Sequence, residues 1–259
     1  VCSSDLVETL MMTATPIPRT LAITLYGDMD ISILKEFPNK KRDITTKVVY
    51  EQDLDKIKKY IYEKTKEGEK TFVVCPLIVN DEERNSVEEV YEDFVSYFEN
   101  KVKVGILHGK MSSEEKENIM MEFKNSDTDI LVATTVVEVG IDVKNASTMV
   151  IFDAQSFGLA TLHQLRGRIG RGGQKGNCFL VCTTSEKLAR QRLQYLEDNE
   201  DGFEIARYDL ASRGPGDIGG VRQSGVPDLN VSDIYSDIRI LEVARIDAQN
   251  ILNNPEDIN

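Results

Sequence analysis

Apolar and polar positions follow two different patterns along this chain. Short apolar runs predict buried strands, and they alternate with longer segments in which apolar residues recur every three or four positions, as in helices. The predicted strands are 10–13, 46–50, 71–75, 103–107, 129–133, 148–152 and 177–182. The predicted helices are 53–66, 86–99, 112–124, 158–168, 185–198 and 232–252, with a shorter one around 203–210. This alternation is typical of an α/β protein in which helices cover both faces of a largely parallel sheet.

The pattern changes at both ends of the chain. Residues 46–184 fit one α/β domain, whereas the preceding segment carries Pro16, Pro18 and Pro38 and suits a connector better than a helix. After residue 184 two helical segments separated by Asp201-Gly202 lead into a glycine-rich loop that begins at Arg213. We therefore expect an additional helical element after the α/β domain.

Composition and charge narrow the function classes. The chain has 259 residues and a net charge of -13, which argues against a simple electrostatic DNA-binding module. The charge is uneven, because residues 160–192 hold seven Lys or Arg and a single acid, Glu186. No apolar run approaches the roughly 20 residues that span a bilayer. The four cysteines form no Cys-x-x-Cys pair, so a zinc site is not expected. We expect the protein to function in the reducing cytoplasm.

The densest chemistry lies between Thr161 and Gly173, in the sequence Thr-Leu-His-Gln-Leu-Arg-Gly-Arg-Ile-Gly-Arg-Gly-Gly. Arginine is always charged, and its planar fork matches phosphate oxygens two at a time. Arg168 and Arg171 are three residues apart, so on a helix or tight helical turn they share a face and can converge on one polyphosphate. Arginines that reach a nucleotide from a second domain stabilise the charge of the transition state. Taken alone, the segment also fits a solvated basic turn.

Other polar residues follow predicted strands. Thr134 and Thr135 come directly after strand 129–133, and Glu138, Gly140 and Asp142 follow them. Hydroxyls and backbone N–H groups at such positions can meet phosphates, although strand-end threonines are common. His108-Gly109 follows strand 103–107, and Thr13-Ala-Thr15-Pro begins at the last residue of strand 10–13.

In this order and spacing, these segments resemble the motor of superfamily 2 helicases and translocases, and most closely the RecG family of bacterial DNA helicases. The resemblance covers roughly residues 8–252. It implies a RecA-like fold, ATP and Mg²⁺ as cofactors, branched or forked DNA as partner, a monomer, no membrane, and a cytoplasmic location. It also implies three regions, namely the end of a first RecA-like domain with its connector (1–45), a second RecA-like domain (46–184), and a translocation hairpin, loop and C-terminal helix (185–259).

The resemblance assigns roles residue by residue. Gln164, Arg168 and Arg171 would contact the ATP phosphates, and Gly140 and Asp142 would lie at the nucleotide, with Asp142 facing its sugar. His108, Thr134 and Thr135 would hold one DNA strand by its backbone. Coupling of the ATP state to DNA movement would rest on five residues, namely Thr13, Thr15, Arg192, Arg213 and Gln223.

Three other interpretations remain open. The transcription-repair coupling factor has a similar motor and translocation segment, but Tyr26-Gly-Asp-Met-Asp30 and Arg213-Gly-Pro-Gly look more like RecG. An inactive interaction module with the same fold would be expected to lose Arg168 or Arg171 first. Gly214-x-Gly216-x-x-Gly219 formally matches a dinucleotide fingerprint, but it follows no buried strand and opens no amphipathic helix.

One part of the ATP site is not in this sequence. It contains no Gly-x-x-x-x-Gly-Lys-Ser/Thr loop, whose lysine holds the phosphates, and no Asp-Glu-x-His box precedes Thr13. The chain does not begin with Met and opens within a motif, so we expect it to be the C-terminal motor portion of a longer protein. Most Mg²⁺ ligands would then lie in the other half.

The 259-residue chain by itself is therefore expected to fold but to hydrolyse ATP negligibly. The reason is that it supplies arginines but no phosphate-binding loop. Phosphate release, measured with and without DNA on the purified chain, checks this expectation. Robust DNA-stimulated turnover would contradict it.

Overall fold

The computed structural model describes residues 43–76, 86–99, 101–125, 128–134, 143–213 and 238–253, and the isolated residues 10, 12 and 32. The described strands are β1 (Ile44–Val49), β2 (Lys70–Val74), β3 (Val104–Leu107), β4 (Ile130–Ala133), β5 (Ala146–Ile151) and β6 (Gly176–Val181). The described helices are α1 (Leu54–Lys66), α2 (Val87–Phe98), α3 (Ser113–Lys124), α4 (Leu159–Arg166), α5 (Lys187–Asp198), α6 (Gly202–Arg213) and α7 (Ile238–Asn253).

The described strands form one parallel sheet in the order β1-β6-β5-β2-β4-β3. This confirms the predicted α/β class and the RecA-like arrangement of the domain. Each of these strands begins within two residues of its predicted start. The predicted strand 10–13 lies largely outside the described residues, and Leu10 and Met12, which are described, belong to no strand.

Each face of the sheet has its own apolar core. On one face α1 and α2 pack against strand residues such as Val73, Val132 and Val150. On the other face α3, α4, α5 and α6 pack against residues such as Phe72, Leu131 and Met149. Buried strands covered on both faces read as continuous apolar runs, which explains why the sequence pattern identified them.

Local signals set where the helices begin. The Ser112 side chain accepts a hydrogen bond from the backbone N–H of Glu115, and the Glu115 carboxylate accepts one from the N–H of Ser112. Ser86 and Glu89 form the same reciprocal pair at the start of α2. Each pair satisfies donors that the first helical turn leaves without intrahelical partners. Ser112 with Glu115, and Ser86 with Glu89, are therefore capping boxes.

The described residues fall into two compact units. Residues 43–209 belong to the unit built around the sheet, and α7 belongs to the other. Packing therefore groups α5 and most of α6 with the sheet, because Leu193, Leu196 and Ile205 are part of its core. The domain boundaries at 45/46 and 184/185 remain a prediction about functional regions.

Candidate nucleotide and nucleic-acid site

Helix α4 crosses one face of the sheet from the carboxyl ends of the strands to their amino ends. It starts shortly after β5 ends, beyond a turn of 3-10 helix at Ala154–Ser156. Just past its C-terminus, the N–H of Gly170 donates to the carbonyl of Ala146, the first residue of β5 (2.9 Å). At about 1.5 Å per residue the eight residues of α4 cover about 12 Å. Its two ends therefore lie near opposite edges of the sheet.

The segment after α4, which we call the arginine loop (residues 170–175), is not helical. Gly170 and Gly173 have φ angles of 71° and 87°, a region that favours glycine. Helix α4 ends at Arg166, two residues before its predicted end, and Gly170 lies between Arg168 and Arg171. The prediction that these arginines share a helical face is therefore wrong, because a left-handed glycine interrupts the turn between them.

The predicted phosphate contacts lie along α4 and the arginine loop. Gln164 is on α4, Arg168 lies in the turn after the helix, and Arg171 is in the arginine loop; all three are half-buried. Residues 159–175 contain no Asp or Glu. The two guanidinium groups supply hydrogen-bond donors with fixed positive charge, the chemistry that binds phosphate oxygens.

The predicted DNA contacts lie at the carboxyl ends of β3 and β4. Leu107 and Ala133 are paired in register, and the N–H of Thr134 donates to the carbonyl of Leu107 (3.1 Å), so His108 and Thr134 are neighbours. In the described part of the chain, His108 Nδ1 and Thr134 Oγ1 are buried without a hydrogen-bond partner. Thr134 is only 3% exposed. A ligand could therefore reach its hydroxyl only after some rearrangement.

The predicted phosphate contacts and the predicted DNA contacts thus lie at opposite edges of one sheet. His108 and Thr134 follow strand ends, whereas the arginine loop lies beside the start of β5. Sequence order alone could not show this separation, because it depends on the direction in which α4 returns across the sheet.

A strained turn after β5 precedes α4, the helix that runs back across the sheet. Asp153 is buried and has a φ angle of 47°, in the left-handed region that a non-glycine residue rarely adopts. Its carboxylate accepts hydrogen bonds from the Thr183 hydroxyl and from Gln155 Nε2, and the Gln155 amide also binds Thr183. These bonds tie the turn after β5 to the end of β6. Sequence reasoning missed all three residues, because nothing in their spacing marks them.

Arg166 bonds to the chain around the end of α5. It is 6% exposed, and Nη1 donates to the carbonyls of Leu196 (3.0 Å) and Asn199 (2.9 Å), while Nη2 donates to that of Glu200 (3.2 Å). The last carbonyls of a helix have no intrahelical partner, so the guanidinium satisfies the C-terminal end of α5 and the turn after it. Burial lowers the pKa of Arg166, yet arginine stays charged in proteins. Arg166 therefore has a structural role, because it joins the end of α4 to the end of α5.

Arg192 makes the corresponding contacts at the other end of α4. Its Nη2 donates to the backbone carbonyl of Phe157 (3.4 Å), just before α4, and to the Asp209 carboxylate on α6 (3.1 Å). Tyr195 on α5 stacks on Tyr208 on α6 with 3.7 Å between ring centroids. Helices α5 and α6, which we call the hairpin, thus contact the chain at both ends of α4.

His163 is built into the same contact. Burial and the neighbouring Arg166 guanidinium both lower the pKa of His163, whereas a hydrogen bond with the Glu200 backbone opposes them. The imidazole therefore lies at the junction of α4 and the hairpin turn.

Comparisons with known proteins agree with this geometry. The "Helicase conserved C-terminal domain" family matches residues 52–173, and the "ATP-dependent DNA helicase RecG, domain 3, C-terminal" family matches residues 199–259. Curated RecG proteins of Staphylococcus aureus (strain Mu50 / ATCC 700699) and Bacillus subtilis (strain 168) are 44% identical over 248 residues, or 95% of this chain. A solved structure of RecG bound to a three-way DNA junction is 42% identical over 88% of this chain, with a TM-score of 0.71. This chain belongs to the RecG family.

The chain spans only part of its RecG relatives. It covers 36% of the length of the two curated RecG proteins and 30% of the chain in the junction complex. Both matched families are named as C-terminal domains. The resemblance to RecG that the motifs indicated is thereby confirmed for nearly the whole sequence.

Several residues predicted from the RecG resemblance lie outside the described part of the structure. They are Thr13, Thr15, Thr135, Gly140, Asp142 and Gln223. The backbone of Arg213 forms the last residue of α6, but its side chain also lies outside the described part. Within the described residues, no helix is long and apolar enough to cross a membrane.

Arg166→Ala is expected to lower the free energy of unfolding of this chain by about 3 kcal/mol, because three carbonyls lose a charged donor. Urea denaturation measures the change. The matched control is Arg207→Ala on α6, whose exposed ion pair with Glu204 should contribute about 0–1 kcal/mol. Equal losses of unfolding free energy in the two variants would contradict the structural role of Arg166.

Proposed function

We propose that this chain provides the second motor domain and the translocation hairpin of an ATP-dependent DNA helicase that remodels branched DNA. The proposal rests on one observation: the hairpin is hydrogen-bonded to the chain at both ends of α4, the helix that leads into the arginine loop. A nucleotide-driven shift of that helix would necessarily displace the hairpin. Membership of the RecG family supports the same conclusion.

The nucleotide in this proposal is ATP with Mg²⁺. Gln164, Arg168 and Arg171 would hold its phosphates, and their chemistry fits, since they offer only donors in a segment without acids. The arginine loop lies at the amino ends of the strands, away from the edge where parallel sheets usually bind ligands. This suits arginines that complete a site built mainly by another domain. Gly140 and Asp142 would add contacts to the nucleotide, and most Mg²⁺ ligands would come from the other domain.

The DNA strand would bind at the opposite edge. His108, Thr134 and Thr135 follow two adjacent strands there, and His108 Nδ1 and Thr134 Oγ1 lack partners within the described structure. An unpaired buried polar atom is costly and calls for an explanation. A phosphate oxygen that approached during a small rearrangement would relieve that cost. Contacts of this kind hold the strand by its backbone and do not read its sequence.

Coupling between the two edges would run through the hairpin. Arg192 joins α5 to α6 and to the chain before α4, and α6 ends at Arg213, where the glycine-rich loop begins. Gln223 in that loop would transmit the movement to DNA, and Thr13 and Thr15 would link it to the first domain. Glycine accepts backbone angles that other residues avoid, so such a loop can swing.

Branched DNA is the proposed substrate because the curated relatives are named ATP-dependent DNA helicases and one solved relative is bound to a three-way junction. Roles in recombination and repair, a monomeric state and a cytoplasmic location are part of the proposal. The transcription-repair coupling factor is less well supported, because residues 199–259 match the RecG domain 3 family. No observation favours an inactive interaction module.

In a full-length RecG-family protein that carries this segment, Arg171→Ala or Arg168→Ala should lower ATP turnover on the order of 10³-fold, because the transition-state charge loses its partner. Steady-state ATPase at saturating DNA measures the effect. Arg207→Ala is the control, since it removes an exposed arginine on the hairpin. Near-normal turnover in both site variants would reject their assignment to the nucleotide.

Gln223→Ala in the same protein should retain much of the DNA-dependent ATPase yet unwind forks poorly, because the loop transmits movement and does not touch the nucleotide. Both activities are measured at saturating forked DNA. If the loop merely binds DNA, affinity, ATPase and unwinding should fall together. A parallel loss of ATPase and unwinding would therefore count against coupling.

A further inference from the structure

The arginine loop is fastened to one short stretch of backbone at the start of β5. The N–H of Gly170 donates to the Ala146 carbonyl (2.9 Å), and the Gln174 side chain donates through Nε2 to the Lys144 carbonyl (2.7 Å). Arg171 lies between these two attachment points. Its backbone position is thus fixed by bonds on both sides to carbonyls two residues apart.

Gly172 shows how closely the loop approaches that backbone. A Cβ at this position would overlap both the Lys144 carbonyl oxygen and the Gln174 side-chain oxygen. The clash with Lys144 involves backbone, so a flexible side chain could not simply move away. Gly172 therefore permits the close approach that lets Gln174 reach Lys144.

We propose that Gln174 is a positioning residue for Arg171, which it holds in place by bonding the arginine loop to the backbone at Lys144. The inference rests on the proposed function, because it assumes that Arg171 meets the nucleotide. Lys144 is two residues beyond Asp142, which the RecG resemblance assigns to the nucleotide. Catalytic groups must be held within a fraction of an ångström, so a modest bond can have a large effect on rate.

The side-chain amide offers an informative series of variants. Gln174→Met keeps a similar length but has no donor for the Lys144 carbonyl, and it adds no charge near Arg171. Gln174→Lys keeps a long side chain with a donor and should restore the bond. Lys175→Ala is the neighbouring control, since Lys175 is exposed and its ion pair with Asp43 is 3.5 Å long.

The test uses a full-length RecG-family protein that carries this segment, with ATPase kcat and KM and thermal unfolding measured for each variant. Gln174→Met should lower kcat about tenfold, the effect of losing one hydrogen bond that orients a catalytic group, with KM and Tm close to those of the parent. Gln174→Lys should recover most of kcat, and Lys175→Ala should match the parent.

Two results would overturn the proposal. One is an unchanged kcat in Gln174→Met while Arg171→Ala abolishes turnover, which rejects the positioning role alone. The other is a joint fall of kcat and Tm that Gln174→Lys does not reverse, which indicates a purely structural contact. Normal turnover in Arg171→Ala would instead reject the nucleotide assignment on which the proposal depends.

Discussion

The buried guanidinium of Arg166 is the interaction on which the arrangement of this site depends. It joins the end of α4 to three carbonyls at the end of α5 and in the following turn. A charged donor in a buried position is stable only when its hydrogen-bonding capacity is met, and unmet carbonyls would be costly too. The two helices therefore hold each other in one relative position, and a relative movement would break these bonds.

The contact between α4 and the hairpin links the two edges of the sheet, so that a movement at one edge would be transmitted towards the other. The arginine loop lies at the amino ends of the strands, and the predicted DNA contacts follow their carboxyl ends. Helix α4 runs between the edges, and the hairpin contacts it through Arg166 at one end and through Arg192 before the other. Movement at the nucleotide would thus reach the hairpin as a rigid displacement, without an unfolding step.

The fold could be predicted from the sequence because its strands are apolar on both sides and its helices carry clear start signals, such as Ser112 with Glu115. The motif order likewise predicted the family. Three features could not be predicted. Arg166 belongs to a cluster of arginines that spacing alone cannot divide into phosphate contacts and structural contacts. The left-handed Asp153 and the Gln174 bond to Lys144 depend on which turns meet in space, and no local pattern encodes that meeting.

Native-state hydrogen exchange of the amides in α4 and in the hairpin tests most directly whether the two move as one body. Elements that form one cooperative unit open together and show similar opening free energies. We expect α4 and α5 to share one opening free energy in the parent chain, and Arg166→Ala to lower the value for α5 below that for α4. A hairpin that already opens far more easily than α4 with Arg166 intact would contradict the claim that the two move as one body.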